Sequence, residues 1–339
     1  MATSLDVRGL TVELPTQSAW VRPVNEVSFT LAHGETLGIV GESGSGKTML
    51  SLALMGIAPH GARYFGEAWL YRRAAHNHGA RDVNAEPESH LSRENLLASS
   101  EDALRKIRGR EIAMIFQEPM TALNPVLRIG AQVEEAIRVH EPKTPADEIH
   151  HRAMATLKRA ALTDPERRAH QYPHQLSGGL RQRVMIAMAL AAGPGVLIAD
   201  EPTSALDVTV QKKILELLMH LRRELQLSML FITHDLAVVA QVADRIAVMY
   251  AGRIVEEGPV AQVLRAPRHP YTEGLLRAAP RLAREKLVPI PGTVPALDRL
   301  PPGCAFAPRC PHHVAECDIK VPELRTVNKD HVARCILVI

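Results

Sequence analysis

The segment Thr36-Leu37-Gly38-Ile39-Val40-Gly41-Glu42-Ser43-Gly44-Ser45-Gly46-Lys47-Thr48 decides how the chain is read. Thr36 to Val40 is a short buried strand, a glycine-rich turn follows, and Lys47 to Met55 continues with helical character. A glycine, four residues and then Gly-Lys-Thr, set between a strand and a helix, is the pattern of a phosphate-binding loop. Its glycines let the backbone curl so closely that successive N–H groups and a helix N-terminus face phosphate oxygens. The candidate phosphate contacts are Gly41, Ser43, Gly44, Ser45, Gly46, Lys47 and Thr48. Lys47 suits the β- and γ-phosphates, and the Thr48 hydroxyl suits Mg²⁺.

Outward from this loop the pattern is mixed. Leu5, Val7, Leu10, Val12 and Leu14, then Val27, Phe29 and Leu31, nearly alternate with polar residues and predict antiparallel strands. Val196 to Ala199 and Met229 to Thr233 are continuous apolar runs separated by a helix over Val208 to Glu224, the mark of parallel strands buried on both faces. Ile246 to Tyr250 supplies another strand. Helical patterns cover Ala131 to Val139 and Ile149 to Ala161, and Gly178-Gly179 opens an Ala/Met-rich helix that ends near Gly193. His76 to Ser100 is polar and reads as an exposed insertion. Beyond Gly258 prolines accumulate, predicting a loop-dominated tail.

At 339 residues the chain is about twice an ordinary single domain, and 46% hydrophobic with 23% charged residues is a globular composition. A net charge of +3 gives no field that argues for nucleic acid. The longest run without a polar side chain, Val184 to Ala199, is broken by Gly193-Pro194-Gly195 and is too short to span a bilayer. Met1 to Leu10 lacks a basic segment followed by an apolar stretch, so no secretory leader is expected.

Val196-Leu197-Ile198-Ala199-Asp200-Glu201 ends a buried strand in two adjacent carboxylates. Asp200 is the candidate Mg²⁺ residue and Glu201 the candidate base that polarises an attacking water, because in-line phosphoryl transfer needs positioned water more than covalent chemistry. A strand-terminal Asp-Glu is equally a solvated turn, and its company with the phosphate loop is what favours the functional reading. All four cysteines, Cys304, Cys310, Cys317 and Cys335, fall in the last 36 residues and read as one group.

Leu176-Ser177-Gly178-Gly179-Leu180-Arg181-Gln182-Arg183 resembles the signature motif of ATP-binding-cassette (ABC) ATPases. Gln117 in Ile115-Phe116-Gln117-Glu118-Pro119, Ser204-Ala205-Leu206-Asp207 after Glu201, and His234 in Ile232-Thr233-His234-Asp235 follow in the family's order. The resemblance implies an α/β fold: a P-loop ABC ATPase core with a parallel sheet, an antiparallel β-subdomain and an inserted helical subdomain near residues 118–190. The nucleotide-binding domain would span 1–265 and a C-terminal Cys-rich extension 266–339. The implied ligands are ATP and Mg²⁺. His234 would contact the γ-phosphate, Gln117 would sense Mg²⁺ and water, and Trp20 would stack on adenine. Ser177, Gly178, Gly179 and Asp207 would serve the nucleotide of an opposing subunit. Leu180 departs from the family's common glutamine, so altered nucleotide contacts are expected there.

His269-Pro270-Tyr271-Thr272 and Pro301 to Cys310 resemble the C-terminal extension of peptide, nickel and opine importer ATPases, some of which hold a [4Fe-4S] cluster. The spacing of the four cysteines is irregular for zinc, and the alternatives are an iron–sulfur cluster flanked by Arg309 and Arg334, Zn²⁺, or free thiols. His312, His313 and His331 are possible further ligands or solvated loop residues.

The resemblance implies an ATP-hydrolysing importer subunit for di- and oligopeptides, with nickel or opine-like solutes as the alternative. It would sit peripherally on the cytoplasmic face of the bacterial inner membrane. Its implied partners are two permease subunits docked near Met120 to Leu127, a second homologous ATPase, and an extracytoplasmic substrate-binding protein. A nucleic-acid-associated ABC ATPase is the rival reading, but only 129 residues separate Lys47 from Ser177, too few for that class's coiled-coil arms.

Overall fold

The computed structural model describes residues 2–17, 19–72, 92–204, 206–279 and 288–338. Residues 76–91 of the expected insertion and Ala205 lie outside them.

The predicted antiparallel strands are long β-branched and leucine-rich runs. β1 (Thr3–Pro15) pairs with β2 (Trp20–Ala32), and Leu5, Leu10, Val12, Val24, Val27 and Leu31 are fully buried. β3 (Thr36–Val40) is buried along its length and leads into α1 (Lys47–Leu54). Among the described residues, β4 (Arg63–Arg72) and β5 (Ser92–Asn95) complete a four-stranded sheet in the order β2-β1-β4-β5. β5 falls within the stretch expected to be an exposed insertion, where its pairing with β4 supplies the order that its polar side chains do not signal.

The second sheet holds β3 near its centre. After α2 (Glu101–Ile107) come β6 (Ile112–Ile115) and the helices α3 (Pro119–Ala122), α4 (Ile129–Arg138), α5 (Ala146–Arg159), α6 (Pro165–Ala169) and α7 (Gly178–Leu190). Next follow β7 (Val196–Asp200), α8 (Val208–Leu225), β8 (Ser228–Thr233), α9 (Leu236–Val242), β9 (Arg245–Tyr250) and β10 (Arg253–Pro259). β9, β3, β8, β7 and β6 run parallel, and the strands are buried because helices α4, α5, α7 and α8 cover one face while the antiparallel sheet and α1 cover the other. Each buried Ile, Leu or Val here contributes roughly 1.5–3 kcal/mol relative to exposure.

The tail is more ordered than its prolines suggest. α10 (Val260–Arg265) and α11 (Pro270–Ala278) follow β10, and β11 (Arg325–Asn328) forms a hairpin with β12 (His331–Ala333). β12 pairs antiparallel with β10, so the described sheet runs β11-β12-β10-β9-β3-β8-β7-β6. Phe306 and Tyr271 join Tyr250 and Val248 in a third apolar core that fastens the tail to the parallel sheet.

Among the described residues no helix is long and apolar enough to cross a membrane.

Candidate functional site

The loop between β3 and α1 is shaped by two close approaches. A Cβ on Gly41 would stand 2.1 Å from the carbonyl oxygen of Met249. At Gly46, φ is +101° and a Cβ would stand 1.9 Å from the carbonyl oxygen of Pro23. Neither contact admits a side chain, so both positions require glycine. Lys47 is buried, and its Nζ donates to the carbonyl oxygens of Gly41 at 2.7 Å and Glu42 at 2.9 Å and lies 3.3 Å from Ser45 Oγ. Burial lowers its pKa, against the pull of Glu201, Asp200 and Glu42. Ser43, Gly44 and Thr48 are exposed at the mouth.

Opposite the lysine, β7 ends in Asp200 and Glu201. Asp200 is 1% exposed, and neither of its carboxylate oxygens has a hydrogen-bond partner of ordinary geometry among the described residues. Burial pushes its pKa up to about 6, with the nearby Thr48 hydroxyl and Lys47 opposing the rise. A buried carboxylate with two unsatisfied oxygens beside a threonine hydroxyl is the hard oxygen donor set that fits Mg²⁺.

Glu201 takes a left-handed φ of 45°, a conformation that costs a non-glycine residue of order 1–3 kcal/mol. Its amide donates to Ile232 at 2.8 Å. Its Oε1 lies 3.1 Å from Nδ1 of His234, and its Oε2 accepts from Nε2 of Gln117 at 3.4 Å. The structure therefore gathers Lys47, Thr48, Asp200, Glu201, Gln117 and His234 around one point. The His234 hydrogen bond holds Glu201 below the ordinary carboxylate range, and Glu201 in turn raises His234.

The other expected site residues lie apart. Ser177 precedes α7 with no side-chain cap of its own, leaving the first N–H groups of the helix to face outward beside exposed Gly178. Leu180 is partly buried and packs against the core under α7, which explains an apolar side chain where a nucleotide contact was expected. Asp207 caps α8, accepting from Thr209 and Val210 at 3.0 Å. Trp20 opens β2 and is 43% exposed, with the Arg63 guanidinium 3.8 Å above its ring, so one face of the ring is already taken.

The expected metal site in the tail is not assembled in the structure. All four cysteines are free thiols, and among the described residues no group of three or more His, Cys, Asp or Glu side chains is placed to hold a metal ion. Burial pushes Cys304 up to about 11 and also raises Cys310 and Cys335, and Cys304 and Cys310 pack against the third apolar core. The arginines expected to flank a cluster are spent elsewhere. Arg334 donates to the carbonyls of Ile254 and Pro322, and Arg309 to Glu42. His331 is a buried partner of Glu256 at 2.8 Å rather than a loop residue, His313 lies 2.9 Å from Asp318, and His312 lies 3.8 Å from Glu273.

The pairing of Arg309 with Glu42, 267 positions apart, has no signal in the sequence beyond the placement of Arg309 within the quoted proline–cysteine segment.

Residues 24–204 match the family model described as ABC transporter, and residues 255–317 match the one described as oligopeptide/dipeptide transporter, C-terminal region. A protein of Brucella melitensis biotype 1 named "Putative peptide import ATP-binding protein" is 48% identical over 98% of this chain and 96% of its own. A protein of the same description from Brucella abortus strain 2308 is 45% identical over 98% of this chain and 95% of its own. The ATP-binding cassette MJ0796, solved as a dimer in a post-hydrolysis state bound to ADP and Pi, superposes with a TM-score of 0.61 at 30% identity, covering 76% of this chain and 98% of its own. For cbiO1 from Clostridium perfringens, part of the ABC transporter complex cbiONQ, the TM-score is 0.58 at 26% identity, covering 78% and 92%. With the phosphate loop and the two carboxylates already in place, these matches show that the chain belongs to the ABC transporter family of ATP-hydrolysing subunits.

Proposed function

We propose that this chain hydrolyses ATP to drive an importer of di- and oligopeptides. The observation that carries the reading is the convergence of Glu201, His234 and Gln117 opposite Lys47. Two features support the cargo class: the match of residues 255–317 and the printed names of the Brucella relatives.

In this reading Lys47 exchanges its bonds to loop carbonyls for the β- and γ-phosphates, and the loop N–H groups of Ser43 to Thr48 take the remaining oxygens. Thr48 and Asp200, with Gln117 nearby, would hold Mg²⁺, whose charge would offset that of the transferring phosphoryl group. Glu201 accepts a proton from the attacking water, and His234 orients Glu201 and reaches the γ-phosphate. Trp20 offers its free face to adenine.

Ser177, Gly178 and Gly179 form an anion-binding helix start with no phosphate of its own to face. They would meet the γ-phosphate bound by a second ATPase, with Asp207 bordering that junction. Exposed Val126 and Leu127, after Gln117, give the permeases an apolar footing. The ATPase domain over residues 1–265, with its helical subdomain near 118–190, would therefore work at the cytoplasmic face of the membrane, and the 266–339 extension would accompany it. A binding protein outside would deliver cargo. The four thiols of the extension retain the soft donors of an iron–sulfur or zinc site, and iron, sulfide and zinc analysis after anaerobic purification decides between those and free thiols.

The test is reconstitution with the permeases in vesicles. Uptake of a labelled dipeptide that requires ATP and is abolished by Glu201→Gln supports the reading. Uptake of Ni²⁺ or an opine instead of peptide would reassign the cargo, and ATPase activity stimulated by DNA but not by cargo would overturn it.

A further inference from the structure

Every polar group of Glu42, the second residue of the phosphate loop, is gripped. Its carbonyl accepts from Lys47, inside the loop. The other two grips come from the C-terminal region. Its amide N–H donates to the phenol oxygen of Tyr271 at 2.8 Å. Its carboxylate meets the Arg309 guanidinium as a fork, Nη1 to Oε2 at 2.7 Å and Nη2 to Oε1 at 3.0 Å.

The gripping residues are themselves held. The Arg309 side chain is 3% exposed; its Nε donates to Pro291 at 2.8 Å and its Nη1 reaches Tyr250 Oη at 3.3 Å. Tyr271 is fully buried, with its ring 4.6 Å from Tyr250 and 5.4 Å from Phe306. A two-point fork on a buried, pre-fixed guanidinium loses little side-chain freedom on forming. It is therefore built to hold its partner in one place.

The charge balance gives this grip a purpose. A carboxylate within a loop that receives a triphosphate repels its ligand unless a cation cancels it. Arg309 is that cation, supplied from outside the ATPase core. We propose that Arg309 and Tyr271 are positioning residues for the phosphate loop: Tyr271 fixes the backbone of Glu42, and Arg309 neutralises its carboxylate so that the loop accepts the polyphosphate of ATP. The proposal rests on the reading of this loop as the ATP site. It makes the C-terminal region a working part of nucleotide binding rather than an appendage to it.

The test is ATP affinity of the full-length chain with Mg²⁺, measured by displacement of a fluorescent ATP analogue, alongside thermal melting. Arg309→Met is expected to weaken ATP by about 10- to 100-fold. Adding Glu42→Gln is expected to restore affinity to within about threefold of wild type while the melting temperature stays at the level of Arg309→Met, because the repulsive charge is gone but the packing is not repaired. A double variant as weak as Arg309→Met, or an Arg309→Met that binds like wild type, overturns the proposal. Should Arg309→Met not fold, Glu42→Gln alone decides. With Arg309 left as an unpaired cation beside the phosphates, affinity equal to or tighter than wild type with a steeper salt dependence supports the proposal, and a tenfold loss overturns it. Lys47→Ala tests the underlying site reading separately. If it retains ATP, that reading falls and the clamp with it; if it loses ATP while Arg309→Met does not, the clamp alone falls.

Discussion

Nδ1 of His234 lies 3.1 Å from Oε1 of Glu201, joining the end of β8 to the end of β7. The contact moves the two groups in opposite directions, lowering the Glu201 pKa and raising that of His234. Glu201 works ionised, so its contribution is present above its depressed pKa and is lost as pH falls through it. Replacing His234 with alanine removes the largest cause of that depression. The acid limb of the kcat/KM profile is expected to move to higher pH, and kcat to fall by about 100-fold. A pH–rate profile of wild type and variant checks both shifts.

Glu201→Gln keeps the shape of the side chain and removes the base. ATP hydrolysis by the assembled importer is expected to fall by about 100- to 10,000-fold, while ATP binding persists and nucleotide stays trapped. Single-turnover hydrolysis and retention of radiolabelled ATP on a filter measure the two quantities separately. A variant that turns over normally would remove Glu201 from the reaction.

Asp200 carries the opposite kind of shift. Its folded pKa of about 6 exceeds its ordinary 3.8, so the folded protein holds a proton that the unfolded chain has released, and ionising Asp200 costs stability as pH rises through that window. Without Mg²⁺, Asp200→Asn is expected to melt higher than wild type at pH 8, by up to about 3 kcal/mol, with the difference vanishing near pH 4. Mg²⁺ competes with that proton, so Mg²⁺-dependent ATP binding is expected to weaken below pH 6. Melting curves across pH, with and without Mg²⁺, show both effects.

Much of the site was legible because its residues come from strand ends. The short apolar runs Thr36–Val40, Val196–Asp200 and Ser228–Thr233 fix where Lys47, Glu201 and His234 emerge, and parallel pairing brings those ends together. The grip on Glu42 was not legible, since a surface glutamate and a distant arginine carry no periodicity. Nor was the β11–β12 hairpin, whose short strands gain their order from pairing with each other and, through β12, with β10 rather than from an apolar pattern. The cysteine group was legible as a cluster in sequence, but its metal was not. Thiol count and clustering suggested a metal, and the structure adds that Cys304 and Cys310 pack beside Phe306 and Tyr250 in the third apolar core.

Gly46→Ala tests the shape of the loop. A methyl group there would meet the carbonyl oxygen of Pro23 at 1.9 Å while the backbone sits at φ +101°, and that oxygen belongs to the backbone rather than to the end of a flexible side chain. The strain of the left-handed backbone alone is of order 1–3 kcal/mol, and backbone displacement adds to it. ATP affinity is expected to drop at least tenfold with a lowered melting temperature, both readable from one nucleotide titration followed by thermal melting.

ATPase activity per subunit against protein concentration, for the chain alone and with its partner ATPase, with and without Ser177→Arg, puts the shared site to trial most directly. If each nucleotide is completed by a neighbour's signature, activity per subunit vanishes on dilution, rises as subunits pair, and is lost by at least about 100-fold in Ser177→Arg. A dilute, solitary subunit that hydrolyses ATP at the full rate whether residue 177 is serine or arginine would contradict it.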